Sequence, residues 1–281
     1  MTTILDGKSL SDKILKELKE KISELDKKPT LAVVLVGKDP ASQIYVRNKK
    51  TAAEKIGIKS LVITLPEDIS EQNLIEQIHI LNEDRNIDAM IVQFPLPKHI
   101  NEKKVVETID PVKDVEGFHP MNIGLRTLGA KDIPIPCTPK GILRILKEYS
   151  ISIEGKNAVV IGRSDIVGKP TAQLLLKENA TVTIAHSKTK DLISHTKMAD
   201  IIVVAIGKPN FLTEDMIKEG VVIVDVGINR SETKLCGDVD FERVKNKASF
   251  ITPVPKGIGP MTIAMLMENT YELYLQNQNL L

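Results

Sequence analysis

The sequence predicts an α/β protein built as two α/β domains. Short runs rich in Val, Ile and Ala alternate along the chain with charged stretches of helical period. The runs are apolar almost without a break, as expected of parallel strands buried on both faces by crossover helices. The chain has 281 residues, of which 42% are hydrophobic, enough to supply a core to each of two domains.

Taken in order, the strand candidates are residues 31–36, 60–65, 89–93, 158–161, 181–185, 201–205 and 221–225, each short and apolar. After the first comes the turn Gly37, Lys38, Asp39, Pro40, which opens a helix over 41–55. Strand 89–93 runs into the rigid Phe94, Pro95, Leu96, Pro97, and residues 113–120 (KDVEGFHP) form a polar loop between helical segments. Three prolines within 131–139 interrupt the patterning, and a new helix starts at 140–149. Residues 252–260 (TPVPKGIGP) form a second hinge ahead of a last helix carrying Ile263, Leu266, Met267 and Leu273. The expected domains are therefore 1–137 with 261–281, the last helix returning to the first domain, and 138–260.

Composition excludes several classes of function. Lys and Arg total 38 against 37 Asp and Glu, a net charge of +1, so no footprint for a nucleic acid is present. Aromatic residues make up 3% of the chain, too few for a row of base-stacking platforms. The longest apolar runs fall far short of the roughly 20 residues that cross a bilayer, and the charged first residues lack a secretory pattern, so no membrane partner is expected. Cys137 and Cys236 lie far apart and outside any CxxC pair, against a disulfide framework or a zinc site. His79, His99 and His195 lie on patterned helices or loops and read as surface groups rather than ligands. No metal and a cytoplasmic location are expected.

Residues 156–186 read as strand, tight turn, helix and strand. The turn, Gly162, Arg163, Ser164, Asp165, Ile166, Val167, Gly168, is a relative of GxGxxG with Ser164 at the middle glycine position. Its context puts backbone N–H groups and a positive helix end against a pyrophosphate, which makes the second domain Rossmann-like. NAD sites usually end the second strand with Asp or Glu on the ribose; here it runs into His186, Ser187, Lys188. Arg163 and Ser187, with Lys188, suit a 2′-phosphate instead, which favours NADP.

In the first domain, Tyr45 and Lys49 stand one helical turn apart on one face. Such a pair is ordinarily a packed ring beside a solvated amine; proton transfer requires Lys49 in a partly desolvated position with Tyr45 orienting it. Gln93 falls at the carboxyl end of its strand, where ligands of open α/β sheets gather, and the loop after residue 112 can bring Glu116 to the same place.

The ordered set DPASQIYVRNK, IVQFPLP, KDVEGFHP, IPCTPKG, VVIGRSDIVGKP, VDVGINR, GDVDF and ITPVPKGIGPMT resembles the bifunctional methylenetetrahydrofolate dehydrogenase and methenyltetrahydrofolate cyclohydrolase family, over essentially the whole chain. The resemblance implies NADP-dependent oxidation of 5,10-methylenetetrahydrofolate and hydrolysis of the methenyl product to 10-formyltetrahydrofolate. It also implies a homodimer and a tetrahydrofolate site in a cleft flanked by the two domains. By position, Lys49 resembles the family's proton-handling lysine, Tyr45 the ring lining the folate site, and Gln93 the glutamine that positions the lysine. Gly162, Arg163, Ser164, Ser187 and Ile228 match NADP contacts. Val92, Phe94, Glu116, Pro255, Lys256 and Gly259 map onto the substrate walls.

Three of these positions depart from the family pattern: Glu116 replaces an aspartate, Phe94 a leucine and Lys256 a glycine. A new acid and a new base in two loops suggest a compensating pair, or contact of Lys256 with the glutamate tail of the folate. Two rival readings follow: a protein that retains one of the two activities, and a catalytically silent NADP or folate binder. Retention of Tyr45, Lys49 and Gln93 together argues against silence.

Overall fold

The computed structural model describes residues 2–230 and 235–278. The first half of the chain forms β1 (Thr3–Ile4), α1 (Gly7–Ser23), β2 (Thr30–Val36), α2 (Pro40–Ile56), β3 (Lys59–Leu65), α3 (Glu71–Glu83), β4 (Ala89–Val92), α4 (Glu102–Thr108) and α5 (Pro120–Thr127). There follow α6 (Cys137–Glu148), β5 (Asn157–Ile161), α7 (Gly168–Lys177), β6 (Thr181–Ala185), α8 (Leu192–Met198), β7 (Ile201–Val204), β8 (Val222–Asp225), β9 (Asn229–Arg230), β10 (Leu235–Cys236), α9 (Phe241–Val244), β11 (Phe250–Ile251) and α10 (Ile258–Asn277).

All seven expected strands form. The chain divides into two compact units, one of Pro136–Thr262 with the residues up to Asp12, the other of Lys13–Ile135 with the residues from Ile263 on. The N-terminal residues thus differ from the expected division. Thr3 and Ile4 pair in parallel with Phe250 and Ile251, which draws the first residues into the sheet of the later unit.

That unit holds a parallel six-stranded sheet in the order β1-β11-β8-β7-β5-β6. Its inner strands β7 and β8 are buried along their whole length, and Ile202, Val204, Ile223, Leu212 and Val244 are among the side chains of one hydrophobic core. The other unit has a parallel three-stranded sheet, β3-β2-β4, with β2 central and buried. Leu74 and Ile78 of α3 pack with Val34, Met90 and Val105 in its core. α10 starts at Ile258, inside the stretch expected to be a hinge, because Pro260 falls in the first turn, where a missing N–H costs nothing.

Candidate active site

In the unit containing β2, the key helix is α2. Asp39 caps it by accepting the Ser42 N–H at 2.7 Å, and Pro40 opens it. Its buried residues are Ser42, Val46, Lys49, Ala53 and Ile56, spaced by four, three, four and three. Lys49 therefore lies on the stripe that faces the core and is only 8% exposed, whereas Tyr45 on the same helix is 42% exposed. A lysine is seldom buried without a polar partner. Here the Nζ donates to Gln93 Oε1 at 3.0 Å.

Gln93 is delivered by β4. Its own N–H donates to Val34 O at 2.8 Å, extending the β4–β2 ladder by one residue. Its amide nitrogen donates to Phe94 O at 2.6 Å, which leaves the amide oxygen to face Lys49. Two turns of chemistry are thereby fixed: the helix buries the amine and the strand end orients its acceptor.

The Glu116 loop runs beside the same strand. Asp114 bridges in parallel to Met90, with Met90 N–H donating to Lys113 O at 2.7 Å. The bridge is isolated: Gly117 N–H donates to Asp114 O at 3.2 Å, so Glu116 lies in a turn directly after it. Sequence reading missed the groups that build this loop. The Lys113 Nζ donates to the carbonyls of Leu81, Asn82 and Asp84 at 3.0, 2.6 and 2.8 Å, capping the end of α3. Asp114 is buried and accepts from His119 N–H at 2.7 Å and Asn122 Nδ2 at 3.1 Å, while desolvation pushes its carboxyl above the usual range against those bonds. From α10, Asn269 Nδ2 donates to Val115 O and Ile135 O, both at 2.8 Å.

The unit with the six-stranded sheet carries a cavity of about 320 Å³ at the carboxyl ends of its strands. Gly162 and Arg163 after β5, His186 and Ser187 after β6, and Ala205, Ile206 and Lys208 after β7 line it, with Leu192 and Phe211 as apolar floor. β6 and β7 flank β5 on opposite sides, so the cavity sits at the topological switch point of the sheet. The turn above it requires glycine. A Cβ on Gly162 would come 2.3 Å from Ala205 O, and one on Gly168 would come 2.3 Å from Gly162 O. Ser164 Oγ accepts from the N–H groups of Val167 and Gly168, both at 3.2 Å, and so caps α7.

Among the expected cofactor residues, Gly162, Arg163 and Ser187 line this cavity, and Ser164 shapes the turn. Ile228 is not among the lining residues; its Cδ1 lies 3.8 Å from where a Cβ of Gly259 would stand. His186 and Lys208 were not expected there; the position of Lys208, just past an apolar strand, was the signal. Pro255, Lys256 and Gly259 belong to this unit, not to that of Lys49. Lys256 adopts φ 78°, its carbonyl accepts the Lys8 N–H at 3.0 Å, and its charge helps hold the Asp6 carboxyl below the usual range, where the larger cause is the Ser9 hydroxyl. No group of His, Cys, Asp and Glu able to hold a metal occurs among the described residues.

A switch-point cavity closed by a glycine turn and lined by Arg163, His186 and Lys208 defines a dinucleotide-binding α/β protein. The buried Lys49–Gln93 pair lies in the other unit. Residues 5–116 match the catalytic domain, and residues 136–278 the NAD(P)-binding domain, of tetrahydrofolate dehydrogenase/cyclohydrolase, and the chain belongs to that family. It is 54% identical over 285 residues to the bifunctional protein FolD of Streptococcus agalactiae, covering 100% of both chains. The crystal structure of the FolD methylenetetrahydrofolate dehydrogenase/cyclohydrolase of Campylobacter jejuni superimposes with a TM-score of 0.97 at 52% identity, covering 100% of both chains. The Trypanosoma brucei enzyme, solved with NADP cofactor and inhibitor, gives 0.94 at 34% identity over 98% of each chain. No described helix is long and apolar enough to cross a membrane.

Proposed function

We propose that this chain oxidises 5,10-methylenetetrahydrofolate with NADP and hydrolyses the methenyl product to 10-formyltetrahydrofolate, with Lys49 as the proton-transfer group of the second step. The single observation that carries the assignment of Lys49 is its burial on the core stripe of α2 against Gln93 Oε1.

NADP, when bound, supplies the ring that accepts hydride. The chain's part in that step is placement. Arg163, Ser187, His186 and Lys208 offer donors to the 2′-phosphate and pyrophosphate, Gly162 lets the backbone approach, and Ser164 fixes the turn. The cavity fits the group: it lies at the switch point, closes on a glycine turn and carries cationic side chains.

In the hydrolytic step a water oxygen bonds to the methenyl carbon and gives its proton to Lys49 Nζ. The carbon–ring nitrogen bond then breaks as Lys49 returns that proton to the nitrogen, and the hydroxyl proton leaves to solvent as the formyl carbonyl forms. Gln93 holds the amine in place between these transfers, and Tyr45, exposed one turn away, supplies a ring for the pterin to stack on. Glu116 is the acceptor for the pterin N–H groups, with Val92, Phe94, Pro255, Lys256 and Gly259 as further substrate contacts and Ile228 as a nicotinamide-side contact. Assembly as a homodimer and a cytoplasmic location belong to the same proposal.

Absorbance assays on wild type and Lys49→Ala test the reading. One follows NADP reduction with methylenetetrahydrofolate, the other loss of methenyltetrahydrofolate above its spontaneous rate. We expect both activities in wild type and a cyclohydrolase loss of at least about a hundredfold in the variant, the scale of a missing general acid–base. Hydrolysis without NADP reduction would favour the single-activity reading, and absence of both would refute the assignment.

A further inference from the structure

The unit with the six-stranded sheet buries two carboxylates that none of the chemistry above uses. Asp238, with 0% exposure, accepts four hydrogen bonds. Its Oδ2 takes the N–H groups of Ile206 at 2.8 Å and Gly207 at 2.9 Å, and its Oδ1 takes Lys208 N–H at 2.8 Å and Asn229 Nδ2 at 2.9 Å. Asp225, 3% exposed at the end of β8, holds the chain around Asp238 in turn. Its Oδ1 accepts from Gly227 N–H at 3.0 Å and Asp238 N–H at 2.9 Å, and its Oδ2 from Val239 N–H at 3.0 Å.

Both carboxylates are fitted into spaces that only glycine leaves open. A Cβ on Gly227 would stand 2.2 Å from Asp238 Oδ1, and one on Gly237 would stand 1.8 Å from Asp225 Oδ2. The motifs VDVGINR and GDVDF thereby acquire a physical reason: each supplies the aspartate and the glycine that seats the other motif's aspartate. The segment they secure, Ile206 to Lys208, is the one that leaves β7 and walls the nucleotide cavity. Three successive backbone N–H groups converging on one buried carboxylate fix a loop far more tightly than side-chain packing does, and loss of the acceptor would strand buried donors.

We propose that Asp238 is a positioning residue of the nucleotide site: its carboxylate, set by Asp225, clamps the Ile206–Lys208 segment so that the Lys208 ammonium is held at the cavity wall for the cofactor's phosphates. The proposal rests on the reading of this cavity as the NADP site.

The test has a readout with no cofactor and one with it. Amide hydrogen exchange of Ile206, Gly207 and Lys208 in the apo protein should accelerate at least tenfold in Asp238→Asn, because one acceptor oxygen becomes a donor. NADP titrations should show at least tenfold weaker binding in Asp238→Asn. Lys208→Ala should weaken NADP binding in the wild-type background and lose most of that effect in the Asp238→Asn background, as coupled sites do. Should Asp238→Asn fail to fold, Asn229→Ala, which removes one of the four donors, should give the same changes at smaller size. Unchanged exchange, or NADP affinity within twofold of wild type in variants that do fold, would overturn the clamp; a strictly additive Lys208→Ala effect would overturn its action through Lys208. Failure of the wild type itself to bind NADP would instead sink the reading of the cavity.

Discussion

Lys49 occupies a place that helical periodicity reserves for an apolar side chain, between Val46 and Ala53 on the stripe that meets the sheet. Spacing alone put Lys49 on one face with Tyr45 and did not show its burial; its partner Gln93, 44 residues away, was legible through the family resemblance and not through local pattern. Asp225 presents the opposite case. Nothing marks it as unusual in VDVGINR, yet burial pushes its carboxyl up to about 6, with the nearby Asp238 adding to the rise and the N–H groups of Asp238, Val239 and Gly227 opposing it. From an ordinary value of 3.8, the folded chain keeps a proton that the unfolded chain has released. Asp225 therefore favours folding fully below about pH 4, and that contribution is lost as the pH rises through about 6, by up to about 3 kcal/mol. Denaturant unfolding at stepped pH should show the stability of wild type relative to Asp225→Asn declining across this window. A difference that stays flat from pH 4 to 7 would contradict it.

At the scale of elements, legibility followed length. The strands of four to seven residues announced themselves by runs rich in apolar and β-branched residues, whereas β1 and β11 contain two residues each and have no period to read. Their existence depends on partners: Thr3 pairs with Phe250 and Ile4 with Ile251, across most of the chain. The loop before α10 shows the same limit. Lys256 sits at φ 78°, where a non-glycine residue costs roughly 1–2 kcal/mol, and replacing it by glycine frees the unfolded chain at a cost of roughly 0.5–1 kcal/mol. The first effect is the larger, so Lys256→Gly should stabilise the protein by about 0.5–1 kcal/mol, read as a small rise in Tm. A fall in Tm would mean that the ammonium, through its attraction to Asp6, contributes more than the backbone loses. Either outcome separates the stability of this loop from the folate contact proposed for it, which parallel affinity measurements on the same variant report.

At the scale of the whole molecule, the Lys49–Gln93 pair lies in one compact unit and the switch-point cavity in the other. The glycine turn, the missing acid after β6 and the Arg163–Ser187 pair were legible because local spacing encodes them. Asp238 and Asp114 were not, since their roles arise from strands and loops that become neighbours only after folding, and Lys208 carried only the weak signal of its place past an apolar strand. The central claim is that one chain performs two reactions with separable machinery, and crossing two variants with two assays tests it most directly. Arg163→Ala should raise the KM for NADP at least about tenfold, the scale of one charge-assisted phosphate contact, while nucleotide-free hydrolysis of methenyltetrahydrofolate stays within about twofold. Lys49→Ala should abolish that hydrolysis while the Kd for NADP stays within about twofold. Parallel loss of both properties in either variant would contradict the account.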